Sequence, residues 1–164
     1  MHRSTPSRGR RAALATLALL IVAGVGVTAC DVPKPVVTFF SAGRTVTTLP
    51  SKYCNDNLTS CQNASVLARL AVPAGGPLQI SVPPRVAATP WLVAFTYRQA
   101  NGQTAQGRSA LFPAGQRYAY TLTMPTGADR LETVEVDQVG AALSMDQNGY
   151  ELYVRAVWDL SATS

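Results

Sequence analysis

Alternation of apolar and polar residues with a period of two constrains the fold of this chain more than any other feature. Every second side chain of residues 91–97 is large and apolar or aromatic. Residues 150–160 repeat the pattern, with one face made of Tyr150, Leu152, Val154, Ala156, Trp158 and Leu160. A period of two is typical of strands with one buried face, since successive side chains of a strand point to opposite sides. The pattern predicts an all-β protein.

Turn residues divide the rest of the chain into short segments, because Pro and Gly interrupt the alternation repeatedly. Residues 66–72 also fit a helix through their Leu and Ala content, while 99–107 and 140–149 are predicted loops. We expect seven to nine strands, drawn from residues 36–40, 45–49, 66–72, 78–82, 91–97, 109–112, 118–124, 131–139 and 150–160.

Two packed antiparallel sheets are the simplest way to bury such faces. Trp91 on a central strand and the turn at residues 146–150 favour an immunoglobulin-like β-sandwich. The inter-sheet disulfide of immunoglobulin domains is missing, because neither facing strand carries a Cys. A small β-barrel is the alternative.

The first thirty residues read as an export signal. Four arginines precede the uncharged apolar run 12–29, after which comes Cys30. This order of basic, apolar and small residues is typical of a signal peptide. Residues 27–30 (Val-Thr-Ala-Cys) resemble the bacterial lipobox, in which the Cys thiol receives a diacylglyceryl group. We therefore expect a cleaved signal peptide at 1–29 and a lipid on Cys30. The alternatives are an uncleaved signal anchor and an ordinary signal peptide that happens to be followed by a Cys.

The remaining chain divides into a linker at 30–35 and one domain at 36–164. Removing residues 1–29 takes four of the 14 basic residues and none of the nine acidic ones, so the net charge falls from +5 to +1. A nucleic-acid binder needs clustered basic residues, and here they are scattered. We expect a membrane contact through Cys30, an unknown envelope protein or ligand as partner, and no nucleic acid.

Two further cysteines, Cys54 and Cys61, enclose six polar or small residues. Outside the cytosol this spacing favours a structural disulfide within a polar loop. A metal site is not expected, since the predicted mature chain has no His and Cys30 is expected to carry the lipid, so no further ligand completes a tetrahedral set. No cofactor motif is present either.

Catalytic residues are scarce. The single His is His2, inside the predicted signal peptide, which removes His-dependent hydrolysis from the mature chain. Glu135 and Asp137 share a strand face and could act as paired carboxylates, but solvated strand pairs with this spacing are common. We expect no catalytic residues and no enzyme. Tyr153 and Arg155, on the polar face of the last strand, are the candidate recognition residues.

The chain resembles a family of small actinobacterial lipoproteins that carry a domain of unknown function. The resemblance rests on residues 37–40, 53–54 with Cys61, 80–83, 89–91, 95–97 and 118–122. It implies envelope attachment and no particular activity. The sequence thus predicts a lipid-anchored, non-enzymatic binding or accessory module on the extracytoplasmic face of the cell membrane. It would present a sheet face, or the loops around Asn101 and Gln147. The alternative is a carrier of a lipid or other apolar ligand in an internal cavity.

Overall fold

The computed structural model describes residues 32–146 and 149–163, so the predicted signal peptide, Cys30 and Gln147 lie outside the described residues. Within these ranges no helix has the length and apolar character needed to cross a membrane. The elements in chain order are β1 (Val37–Ser41), β2 (Arg44–Thr48), β3 (Lys52–Cys54), β4 (Cys61–Asn63), β5 (Ala68–Ala71), β6 (Leu78–Ser81), α1 (Pro84–Ala87), β7 (Trp91–Gln99), β8 (Thr104–Arg108), β9 (Ala119–Leu122), β10 (Ala128–Asp146) and β11 (Gly149–Thr163).

The strands form two sheets. The smaller sheet has the order β2-β1-β6-β9, and all its pairs are antiparallel. The larger sheet has the order β4-β3-β11-β10-β7-β8. The strand β5 also pairs with β11, in parallel, along a later part of β11 than the part that pairs with β3. The predicted all-β sandwich is confirmed. In the described part of the chain the strands close no barrel, so the alternative fold is wrong.

The core lies between the two sheets. The small sheet contributes Val37, Phe39, Leu78, Ile80 and Leu122, and the large sheet contributes Trp91, Val93, Phe95, Val134, Val136, Ala156, Trp158 and Leu160. Apart from the buried Leu92, which lies between Trp91 and Val93, these side chains alternate along their strands with exposed or half-buried ones, as the period of two predicts. The two tryptophans are fully buried, and each indole Nε1 donates to a backbone carbonyl, Trp91 to Arg117 and Trp158 to Pro35.

Several strand boundaries differ from the sequence expectation. The predicted loop 140–149 is wrong, because β10 continues to Asp146 and β11 begins at Gly149, with an irregular register between Val139 and Leu143. The predicted loop 99–107 contains most of β8, since Thr104–Arg108 pairs with β7 despite its polar side chains. Residues 109–112 form only a single bridge, from Phe112 to Trp91.

Non-local pairing explains the remaining differences. Residues 66–72 contain a strand rather than a helix, because Ala68–Ala71 lies alongside the end of β11. The polar loop that carries the cysteines includes the short hairpin β3–β4. The described residues thus form eleven strands, more than the seven to nine expected.

Candidate functional site

On the outward face of the larger sheet, the strand register brings polar side chains of different strands next to one another. Partners in neighbouring strands point to the same side, so the register defines rows across this face. One row runs Lys52, Val157, Asp137 and Leu92 from β3 to β7. The adjacent row runs Asp159, Glu135, Ala94 and Arg108 from β11 to β8.

Three carboxylates meet where these rows cross β10 and β11. Glu135 faces Asp159 directly across the strand pair, and Asp137 follows on the same face of β10. We name Glu135, Asp137 and Asp159 the carboxylate cluster. Among the described residues no ion pair joins any of them to a basic side chain. Like charges placed directly opposite each other oppose strand pairing, so the cluster leaves negative charge uncompensated on this face.

Burial and neighbouring charge both raise the pKa of two members of the cluster, Asp137 and Glu135. Loss of solvent, followed by the charges of Glu135 and Asp159, raises the pKa of Asp137 to about 6, while Lys52 opposes the shift. The register explains the loss of solvent, since Leu92 and Val157 flank Asp137 on either side. Burial and the charge of Asp159 also raise the pKa of Glu135. The cluster can therefore hold a proton near neutral pH.

A groove of about 430 Å³ adjoins the cluster. Its walls include Glu135, Arg108, Gln106 and the hydroxyls of Thr96 and Thr133, whose oxygens lie 2.6 Å apart. Gly107 lies in the floor, where it makes room for the Phe95 ring. The groove thus offers donors, acceptors and charges of both signs to a ligand on the sheet surface. No group of side chains with metal-binding geometry occurs among the residues that the structure describes.

The disulfide between Cys54 and Cys61 is present and joins directly opposed residues of β3 and β4. The predicted recognition residue Arg155 contacts this hairpin and the loop between its strands. Its guanidinium lies 2.6 Å from the Asp56 carboxylate, donates to the Cys54 carbonyl and stacks on the Tyr53 ring. The arginine is therefore already engaged within the molecule.

Tyr153, two residues earlier, has 39% of its surface exposed. A recognition role for it stays a prediction. Asn101 lies at the exposed turn between β7 and β8, where its carboxamide oxygen accepts from the Gln103 amide.

Sequence reasoning found part of this face. It placed Glu135 and Asp137 together on one strand face. It missed that Asp159 opposes Glu135, and it missed Arg108 altogether because β8 was read as a loop. The alternation predicts which side chains point outward. It does not predict the register between β10 and β11, which decides which of these side chains face each other.

A model of a family described as "Protein of unknown function (DUF2771)" matches residues 31–163. This chain belongs to the DUF2771 family. The match confirms the predicted domain of unknown function, and the actinobacterial origin and the lipoprotein character remain predictions. No curated protein and no solved structure matches the chain. The function of this DUF2771 chain therefore has to be inferred from its own sequence and from the geometry of its own residues.

Proposed function

We propose that this chain is a non-enzymatic binding or accessory module of the cell envelope. Cys30 would carry a lipid that tethers the domain to the extracytoplasmic face of the membrane. The outward face of the larger sheet would bind a cationic group of an envelope component. The tether is supported by the lipobox-like residues 27–30 and by the basic and apolar segments that precede them.

The carboxylate cluster is the observation that supports the binding face. Glu135 and Asp159 face each other without a basic partner among the described residues. An incoming ammonium or guanidinium group would relieve their repulsion and form charge-assisted hydrogen bonds. The adjoining groove supplies the threonine hydroxyls and the Gln106 carboxamide as further contacts.

The raised pKa of Asp137 does not require a catalytic role. Its flanking aliphatic neighbours and the nearby carboxylates account for it. The absence of enzyme activity stays a prediction, as does the alternative of an apolar-ligand carrier. That alternative needs an enclosed cavity, whereas the groove beside the cluster lies on the surface and has charged walls.

Photo-crosslinking in membranes tests the binding face. A photoreactive residue at Gln106 in the full-length protein should give a discrete adduct, whereas one at the exposed Thr45 of the smaller sheet should not. The adduct should weaken in Glu135→Gln/Asp159→Asn and at high salt, because screening reduces the attraction. Asp129→Asn is the matched control, since it removes an exposed carboxylate outside the cluster. An adduct that is absent, or unchanged in the double variant, would contradict the proposed face.

The tether is tested separately with Cys30→Ala. This variant should lose incorporation of labelled fatty acid and should leave the membrane fraction. If the wild type incorporates no labelled fatty acid and yet remains with the membrane, the uncleaved signal anchor is the correct alternative.

A further inference from the structure

Three aliphatic side chains from three separate segments form an exposed apolar surface. Val36, Leu49 and Leu67, which we name the aliphatic patch, are exposed by 43%, 47% and 53%. They line a groove of about 390 Å³ together with Thr47 and Val66. No charged side chain is among the described residues that line it. Exposed aliphatic residues gathered in this way commonly mark an interaction surface.

The patch lies where the chain enters the domain. Val36 belongs to the patch, and the carbonyl of the preceding Pro35 is fixed by the buried hydrogen bond from Trp158. Only residues 31–35 separate Val36 from Cys30. Because an extended residue spans at most about 3.5 Å, Cys30 cannot lie more than roughly 20 Å from Val36.

We infer that the aliphatic patch docks on the lipid bilayer and orients the domain on the membrane. The inference rests on the proposed lipid at Cys30, which would hold the patch at a high effective concentration beside the bilayer. Aliphatic side chains gain free energy by entering the boundary between headgroups and acyl chains. The tether length and the position of Val36 select the bilayer as the occupant of this surface.

A nearby basic residue also favours the lipid bilayer as the partner of the patch. Arg69 lies two residues after Leu67, is exposed, and has no ion-pair partner among the described residues. Basic residues beside an inserted apolar surface are attracted to anionic headgroups. Anionic lipid should therefore strengthen the contact.

A polarity-sensitive fluorophore tests the docking. NBD is attached to Leu67→Cys in the full-length, lipid-modified protein, whose Cys54 and Cys61 are disulfide-bonded and do not react. The protein is reconstituted in vesicles of phosphatidylcholine and phosphatidylglycerol, with and without nitroxide-labelled acyl chains. We expect blue-shifted emission and roughly two-fold or greater quenching by the nitroxide lipids. A second label at Val36→Cys should behave alike.

Leu111→Cys provides the matched control. Leu111 is also an exposed leucine, at 43%. Leu111 follows β8. Three strands, β11, β10 and β7, lie between β8 and β5, and β5 begins immediately after Leu67. At about 4.8 Å between strands, the two leucines are separated by some 15–20 Å. Its label should remain unquenched. Equal quenching at both positions, or none at Leu67→Cys, would overturn the inference.

Other occupants give different results. If an acyl chain of the protein's own anchor fills the groove, the Leu67→Cys label shifts to the blue but nitroxide lipids do not quench it. If a second copy covers the patch, the shift depends on the ratio of protein to lipid and is again not quenched. Either result overturns docking on the bilayer.

The two proposals fail in distinguishable ways. If the tether is wrong, the wild-type protein incorporates no labelled fatty acid. If only the docking is wrong, fatty acid is still incorporated and lost in Cys30→Ala, but the Leu67→Cys label on the lipid-modified protein is not quenched.

Discussion

The indole Nε1 of Trp158 donates a hydrogen bond of 3.0 Å to the carbonyl oxygen of Pro35, and the bond is buried. It joins the last strand to Pro35, which lies two residues before the first strand and 123 positions away in the sequence. The direction in which residues 33–36 leave the domain is thereby fixed. The aliphatic patch and the outward face of the larger sheet consequently hold defined positions relative to Pro35.

Trp158→Phe should lower the free energy of unfolding by about 2–3 kcal/mol. The change removes buried volume and leaves the Pro35 carbonyl without its donor. Trp91→Phe should cost a similar amount, because Trp91 bonds to the Arg117 carbonyl in the same way. Chemical denaturation measures both losses.

Hydrogen exchange separates the two tryptophans. The amides of Lys34, Val36 and Val37 should exchange faster in Trp158→Phe than in Trp91→Phe, since only the first change releases the start of the domain. Equal exchange in the two variants would contradict the anchoring role of Trp158.

Asp137 should make the stability depend on pH. Its pKa is raised from 3.8 to about 6 in the folded protein, so the folded state binds this proton more tightly than the unfolded state. The free energy of unfolding should therefore fall as the pH rises from about 4 to about 6, and this contribution should level off above that range. Asp137→Asn should match the wild type near pH 4 and exceed it by about 1–2 kcal/mol at pH 7.

Urea denaturation at several pH values measures the effect of Asp137. Asp129→Asn is the control for the loss of one carboxylate at an exposed position and should change the stability by less than about 0.5 kcal/mol. If the stability of Asp137→Asn changes with pH in parallel with that of the wild type, the pKa of Asp137 is not raised in the folded protein.

Gln138 should stabilise the short helix α1 through its amide nitrogen. Nε2 donates to the carbonyls of Arg85 and Val86 at 3.0 Å each, whereas Oε1 has no partner among the described residues. Gln138→Met keeps the approximate size but leaves both carbonyls unpaired, at a cost of about 1–3 kcal/mol. Thermal or chemical denaturation measures the loss.

Gln138→Glu tests the direction of these hydrogen bonds. A carboxylate would face two carbonyl oxygens, which raises its folded-state pKa and makes the variant less stable at pH 7 than at pH 4 relative to Gln138→Met. Equal losses at the two pH values would show that Nε2 does not point at the carbonyls.

Gly107 should be required by the Phe95 ring. A Cβ at Gly107 would lie 2.4 Å from the ring atom Cζ, so Gly107→Ala should cost about 2 kcal/mol by displacing the ring. In a Phe95→Leu background the same change should cost about 0.5 kcal/mol, because the clashing atoms are gone. A double-mutant cycle measures the coupling. Additive losses would show that the ring is not the cause.

Local pattern alone was enough to predict the strands with strong alternation and the sides they bury. Trp91, Val93 and Phe95 point inward because side-chain direction alternates within a single strand, whatever the strand pairs with. The Cys54–Cys61 disulfide was predictable for a similar reason, since its two residues are close in the sequence. The lipid on Cys30 was predicted from the same kind of local pattern, and its test is the Cys30→Ala experiment.

Segments with weak local preferences were mispredicted or left open between strand and helix. Thr104–Arg108 has the composition of a loop and becomes β8 because β7 offers an unpaired edge. Ala68–Ala71 was open to a helix and becomes a strand because β11 extends past β3. In both cases a partner distant in the sequence decides the conformation, as is usual for strands.

The sequence by itself predicted a β-sandwich, placed Glu135 and Asp137 on one strand face, and showed that the single His of the chain is His2. Only the tertiary structure decided that Glu135 opposes Asp159 and that Val36, Leu49 and Leu67 come together. The physical reason is the same for both. Which residues meet depends on the pairing register and on the packing of separate segments, and these are set by the shared core rather than by neighbours along the chain.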